Sequence, residues 1–195
     1  YKRQSLMRST ARLTYEEVDQ VLSGRTAGFP RRVVRLLRDM EAVARLCQKR
    51  RSHRGMLVLE LPEVELIYDR KGHVIDARPA STTFSHTIIE MFMLEANEAV
   101  ARLLDGLEVP FLRRIHPEPD ALALGESARI IRLCGYDIPK KLDRAGLQAL
   151  LEQVRGKPES FLVNLAVLKS LARAEYSPEP LGHYALACEH YCHFT

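Results

Sequence analysis

Long apolar runs are missing from this 195-residue chain. Its hydrophobic stretches last only a few residues before a charge breaks them, whereas a membrane-spanning helix needs about 20. No basic, then apolar, then small-residue leader opens the sequence, so the expectation is a soluble, cytoplasmic protein with no membrane partner. Cysteine is scarce: Cys47, Cys134, Cys188 and Cys192 are irregularly spaced and two fall within predicted helices, which points to reduced thiols rather than a disulfide framework. A phosphate-cradling glycine loop, a zinc-protease helix motif and a nucleophile-elbow serine are all missing, and the enzyme classes built on them are excluded. Clustered acids are missing as well, because the carboxylates are scattered singly or in pairs along helices.

What is present starts with length, one domain's worth, enough to bury roughly 70% of the unfolded surface. The formal net charge of +4 conceals an asymmetry: residues 1–54 hold 14 Lys/Arg against 5 Asp/Glu, and residues 55–195 hold 15 against 20. A split of +9 and −5 suits a polyanion meeting one side of the molecule, or a solvated basic face.

Local signals divide the chain into mostly helical elements. Thr14 followed by Glu16 and Glu17 reads as an N-cap with acids in the first turn, and Gly24 ends that short helix. Pro30 opens a longer one, with Val33, Leu36, Leu37, Met40, Val43, Ala44 and Cys47 as its apolar side and Arg31, Arg35, Arg38, Arg45 and Lys49 as a basic ridge. Val64 to Tyr68 and Val74 to Ala77 flank the turn Asp69-Arg-Lys-Gly72 and predict a hairpin. Ser85 or Thr87 caps a predicted helix reaching Leu104, buried through Ile89, Phe92, Met93, Ala96, Val100 and Leu103. Val109 to Ile115 reads as a strand, Pro119 starts a helix ending near Gly135, and Leu147 to Val154 and Ser160 to Ala174 are two further amphipathic helices. No repeat or long linker divides the chain. The fold class expected is α+β, dominated by helices with a few strands.

Five ordered blocks then carry a resemblance. The segment from Tyr176 to Thr195, Tyr-Ser-Pro-Glu-Pro-Leu-Gly-His-Tyr-Ala-Leu-Ala-Cys-Glu-His-Tyr-Cys-His-Phe-Thr, resembles one in the ribonuclease II / ribonuclease R family that runs on into Ser-Pro-Ile-Arg-Arg-Tyr. Arg8 to Val18, Arg50 to Glu63, Ser85 to Val100 and Pro110 to Asp120 are similar to successive blocks of the same family. The resemblance implies the later half of an RNB-type catalytic domain spanning residues 1–195. It also implies a parent enzyme that degrades single-stranded RNA processively from the 3′ end to nucleoside 5′-monophosphates, with no DNA substrate. Mg²⁺ would be held by an aspartate cluster upstream, a phosphate-gripping arginine pair would lie downstream, and OB-fold RNA-binding domains would flank the catalytic domain. On that reading the stretch alone is inactive. The alternative is a non-catalytic RNA- or partner-binding protein on a degenerate domain of this kind.

Within the resemblance, His86, Glu90 and Asn97 fall on one helix face and are candidates for contacts with RNA sugars and base edges, or else a cap and two solvated side chains. The family usually has a second Glu where Met91 stands, and Val58 replaces a commonly polar position. Gly182 permits close backbone approach, and His183, Tyr191, His193 and Thr195 match the family's terminal pattern; they are expected either to line the catalytic channel or to be hydrogen-bonded core groups. Arg50, Arg51 and Arg54 are candidate phosphate contacts or solvated helix-end cations. His116 reads as a structural histidine. The cluster of His183, Cys188, His190, Cys192 and His193 has one loose pair and not the two separated pairs of a structural zinc site, and nothing marks an oxyanion hole for a Cys-His nucleophile.

Overall fold

A computed structural model describes residues 6–80, 82–138 and 142–195. In chain order the elements are α1 (Tyr15–Leu22), α2 (Arg31–Arg54), β1 (Val64–Tyr68), β2 (Val74–Pro79), α3 (Phe84–Gly106), β3 (Arg113–Ile115), α4 (Ala121–Leu133), α5 (Arg144–Val154), α6 (Ser160–Ser170) and β4 (Glu175–Ser177). The architecture is α+β, six helices with two short antiparallel strand pairs among the described residues.

Local chemistry explains the element ends. Thr14 and Glu17 form a reciprocal capping box at α1, with the Thr14 N–H donating to Glu17 Oε2 at 2.7 Å. Asp120 and Asp143 cap α4 and α5 by accepting the N–H of Ala123 and Gly146 at 2.7 and 2.8 Å. α2 stops because Gly55 turns left-handed at φ 95°, which lets its N–H and that of Met56 return to the carbonyls of Ser52 and Arg51. The cap of α3 is Thr83, two residues before the earlier of the two expected caps; its N–H donates to His86 Nδ1 at 3.4 Å.

Three apolar clusters hold the helices. α4, α5 and α6 pack around Ile131, Leu147, Leu151, Val154, Val163 and Val167, with Leu57 reaching in from the loop after α2. α2 and α3 meet over Ala44, Met56, Ile88, Met91 and Leu94, and Cys188 and Tyr191 complete that cluster from the far end of the chain. α1 packs on α2 through Val21, Val33 and Leu37.

The helix faces differ from expectation. On α3 the inward residues are Ser85, Ile88, Met91, Leu94, Asn97, Glu98 and Ala101, while Ile89, Phe92 and Leu103 point to solvent. On α2, Val33, Leu37 and Ala44 are buried as expected, but Leu36 and Val43 are exposed. The predicted strand from Val109 shrinks to Arg113–Ile115, the three residues that pair with Glu175–Ser177 of β4. The basic ridge of Arg31, Arg35, Arg38, Arg45 and Lys49 does face solvent.

The β1–β2 hairpin turns on Asp69, whose Oδ1 accepts the N–H groups of Lys71 and His73 at 2.7 and 2.9 Å. Its register places Val64, Leu66 and Tyr68 opposite Pro79, Ala77 and Val74, so one face is apolar, yet both strands are exposed. The chain exposes 14,244 Å², against about 9,400 Å² expected for a compact monomer of its mass. Large apolar side chains left exposed, among them Leu36, Val43, Leu46, Ile89 and Leu103, contribute to it. No described helix is long and apolar enough to cross a membrane.

A Cβ at Gly55 would lie 3.1 Å from Arg144 Nε on a backbone with positive φ. Gly55→Ala should therefore cost about 1–2 kcal/mol, read as a lower urea midpoint with an unchanged denaturant slope.

Candidate nucleic-acid interface and its buried support

The segment after β4 has little regular structure and takes its shape from neighbours. β3 is the strut: it pairs with β4, and beyond the pairing Arg114 N–H donates to Tyr191 O at 3.0 Å and His116 N–H to Gly182 O at 3.1 Å. Tyr184 N–H returns to His116 O at 2.9 Å, and His183 exchanges backbone bonds with Cys188. Gly182 is required, since a Cβ there would sit 2.8 Å from the Cys188 carbonyl oxygen.

α3 holds the last residues through Asn97, whose side chain is fully enclosed. Its Nδ2 donates to the Tyr191 hydroxyl at 3.3 Å and to Thr195 Oγ1 at 3.1 Å, while its Oδ1 accepts the Phe194 N–H at 3.3 Å. The Cys192 thiol donates to the Asn97 carbonyl at 3.3 Å. An amide suits this place because it donates and accepts at once.

α2 joins the same structure through a buried ion network. The Arg51 side chain has no solvent exposure; its Nη2 lies 2.7 Å from Glu98 Oε2 and 2.8 Å from Glu95 Oε1, and its Nη1 is 3.4 Å from Cys188 Sγ. Arg102 also pairs with Glu98, Arg50 pairs with Glu95, and Arg54 reaches Glu98 at 3.5 Å. Burial, and then the Glu98 carboxylate, push the Cys188 pKa up, so the thiol stays protonated and faces Glu98 at 3.6 Å.

The histidines separate. His116 is buried, with Nε2 2.7 Å from Ala172 O and Nδ1 accepting the Ala185 N–H at 3.1 Å, which makes it the structural residue expected. His183 lies 4.9 Å from His116, centroid to centroid, and edge-on to Tyr191 at 5.4 Å. Burial first, then His116, lower its pKa to about 4. His193 is exposed, its Nδ1 3.2 Å from the Tyr176 hydroxyl.

The sequence-based candidates are therefore only partly brought together. Asn97, Tyr191 and Thr195 bond directly, with His183 against Tyr191. His86 stays at the start of α3, stacked on Tyr15 at 3.7 Å. Glu90 is exposed one turn later; crowding by protein on one side raises its pKa, opposed by Arg51. The expected polar stripe does not survive as one surface, because the terminal segment covers α3 at Asn97 and leaves it bare at Glu90. Arg51 is corrected from a phosphate contact to a buried structural cation, while Arg50 and Arg54 remain exposed. Glu95 and Glu98 were missed; their only local signal was two acids three apart among apolar residues. Among the described residues no three His, Cys, Asp or Glu side chains converge as a group that could hold a metal ion.

The RNB domain family model matches residues 2–195. The chain belongs to the RNB domain family. It is 38% identical over 197 aligned residues to Ribonuclease R of Aquifex aeolicus, an alignment covering 98% of this chain and 28% of that protein. The chain thus spans about a quarter of the length of the curated relatives it matches. Its fold is that of Mycoplasma genitalium RNase R in complex with ribose methylated single-stranded RNA, at TM-score 0.86 and 24% identity over 93% of this chain and 29% of that one. A more distant match is yeast Ssd1, a pseudonuclease, at TM-score 0.65 and 20% identity, over 94% and 23% of the two chains.

Glu98→Ala would leave the buried Arg51 guanidinium with Glu95 as its remaining carboxylate, and should destabilise the fold by about 3 kcal/mol, measured by chemical denaturation. His183 supplies a pH dependence with a definite sign. Its folded pKa of about 4 lies below the ordinary 6.5, so protons bind the unfolded chain first and stability falls as pH drops from 6.5 towards 4. Melting temperatures across that range should show the fall, and His183→Gln should flatten it.

Proposed function

We propose that this chain is the later part of the catalytic domain of a processive 3′-to-5′ exoribonuclease, which hydrolyses single-stranded RNA to nucleoside 5′-monophosphates. The observation that carries it is the 38% identity to a Ribonuclease R along 98% of the chain. The Mycoplasma relative bound to single-stranded RNA supports RNA as the substrate class; that DNA is not a substrate is part of the proposal. Uncovered apolar surface on α2, α3 and the hairpin supports the view that further parts of a larger protein pack against this one. A Mg²⁺-holding aspartate cluster, a phosphate-gripping arginine pair and flanking OB-fold domains belong to those parts, and a cytoplasmic location is part of the same proposal.

In this reading the chain's own residues bind and orient. Arg50 and Arg54, exposed at the end of α2, and Glu90, exposed on α3, are the groups available to nucleic acid, while Asn97 and Arg51 hold the terminal segment that carries His193 and Thr195. Glu90 carries no hydrogen bond or ion pair among the described residues, which leaves its carboxylate available for a ribose hydroxyl. The competing reading, a non-catalytic RNA or partner binder, draws on the same fold in a pseudonuclease.

Digestion of a 5′-labelled single-stranded RNA by the full-length parent, with Mg²⁺ and again with chelator, separates the two. Metal-dependent conversion to a very short end product with few intermediates is expected; intact RNA would mean a binder. In an active parent, Glu90→Ala should lower turnover about tenfold or more with the melting temperature unchanged. Unaltered kinetics would remove Glu90 from the RNA-contacting face.

A further inference from the structure

A cavity of about 740 Å³ opens between the end of α2, the face of α4 and the start of α5, with Tyr184 on its wall. That is the size of a small-molecule site. Three guanidinium groups line it, from Arg54, Arg132 and Arg144, with His53 beside them. Their charge is only partly offset. Glu98, the carboxylate nearest Arg54, is 3.5 Å away and already engaged by Arg51 and Arg102. Arg132 and Arg144 have no ion-pair partner among the described residues. Two acids also line the cavity: Asp143, which keeps its negative charge while its Oδ1 accepts the Gly146 N–H at 2.8 Å, and Glu118, so three guanidinium groups face two carboxylates. Like charges sharing a concave wall raise the local potential and favour an anion that offsets them. The Arg144 guanidinium is held in place over the Tyr184 ring, 5.6 Å from its centroid. Leu124 and Ala128 give the same cavity an apolar side, and a Cβ at Gly125 would meet nothing within 4 Å, which leaves that side open.

We propose that this cavity is a binding site for a phosphate-bearing nucleotide, with Arg54, Arg132 and Arg144 holding the phosphate and the Leu124–Ala128 side receiving the base. The site borders the Arg51 network at Arg54, which reaches Glu98 at 3.5 Å. The inference deepens the exoribonuclease reading, on which it rests for the kind of nucleotide: the phosphate belongs either to a released nucleoside 5′-monophosphate or to a segment of RNA backbone.

The test titrates the full-length parent by calorimetry with AMP, with adenosine, and with a 2′-O-methylated oligoadenylate that resists hydrolysis. Wild type is compared with Arg132→Ala and Arg144→Ala, each checked by thermal melting. Removing one charge-assisted contact should weaken binding about tenfold. Loss of AMP affinity in both variants, with adenosine failing to bind wild type, supports the site with free nucleotide as ligand. Loss confined to the oligoadenylate supports it with RNA backbone as ligand. Equal affinities in wild type and variants, or no binding to wild type, overturn the proposal. If Arg144→Ala lowers the melting temperature, exposed Arg132 decides alone. Digestion of labelled RNA by wild type is scored separately: its absence defeats the exoribonuclease reading, whereas the titrations alone judge the cavity.

Discussion

Everything that positions the candidate interface depends on one buried cation. Moving a guanidinium out of water costs several kcal/mol unless charge and hydrogen bonds replace the lost solvent. For Arg51 that replacement comes from three places at once: Glu95 and Glu98 on α3 and Cys188 in the terminal segment. Burial pulls the Arg51 pKa down, but Cys188, Glu95 and Glu98 outweigh it and leave the group above its ordinary value. The arrangement is not fully matched. Arg51 Nε and Glu95 Oε1 have no hydrogen-bond partner among the described residues, although Glu95 Oε1 lies 2.8 Å from Arg51 Nη2, a charge contact without hydrogen-bond alignment. A hydrophobic side chain at this place would pack without demanding any particular neighbour. A buried arginine permits α2, α3 and the terminal segment only the relative positions in which its partners are supplied.

That dependence explains which features were legible in the sequence. Caps and turns are decided within a few residues, and Thr14 with Glu17, and Asp69 before Gly72, behave as their spacing says. The α+β class and the order of elements followed from such signals. Helix faces did not, because which side of a helix is inside depends on what covers it. Ile89, Phe92 and Leu103 form as good an apolar stripe as the one α3 uses, yet they are exposed, and the buried side includes Asn97 and Glu98. Arg51 was unreadable for the same reason. Its partners are Glu98, 47 residues on, and Cys188, 137 residues on, and nothing near Arg51 distinguishes it from Arg50, which is solvated and paired at the surface.

The exposed apolar stripes and the excess surface belong to one account. A domain that closed its core within these residues would not leave Leu36, Val43, Leu46, Ile89, Phe92 and Leu103 bare together with one face of a hairpin. The chain's correspondence to about a quarter of a Ribonuclease R agrees with the proposal that further parts of a larger protein cover these surfaces. The polar groups are handled differently. Asn97, Arg51, His116 and Ser127 find most of their hydrogen bonds within this chain, so the hydrogen-bonded frame is closer to closure than the apolar surface.

The terminal segment shows what that frame achieves. From Pro178 onward it has no helix, and only isolated bridges tie it to strands. A chain with so few regular bonds would sample many conformations, each residue costing about 1–2 kcal/mol of entropy to fix. Its anchors are the backbone of β3, the Leu57 N–H on the Ala185 carbonyl, the amide of Asn97 and Arg51 against Cys188. Because Asn97 and Glu98 are consecutive on α3, the residue that grips the Tyr191–Thr195 end and the residue that pairs with Arg51 move as one. Any shift of α2 against α3 must therefore reach His193 and Thr195 through a single turn of helix. The exposed Arg50 and Arg54 at the end of α2 are carried by the same rigid unit. In the function proposed above, nucleic-acid contacts at the end of α2 and at the terminal segment would thereby be held at a set spacing, which is what a surface gripping a repeating polymer requires.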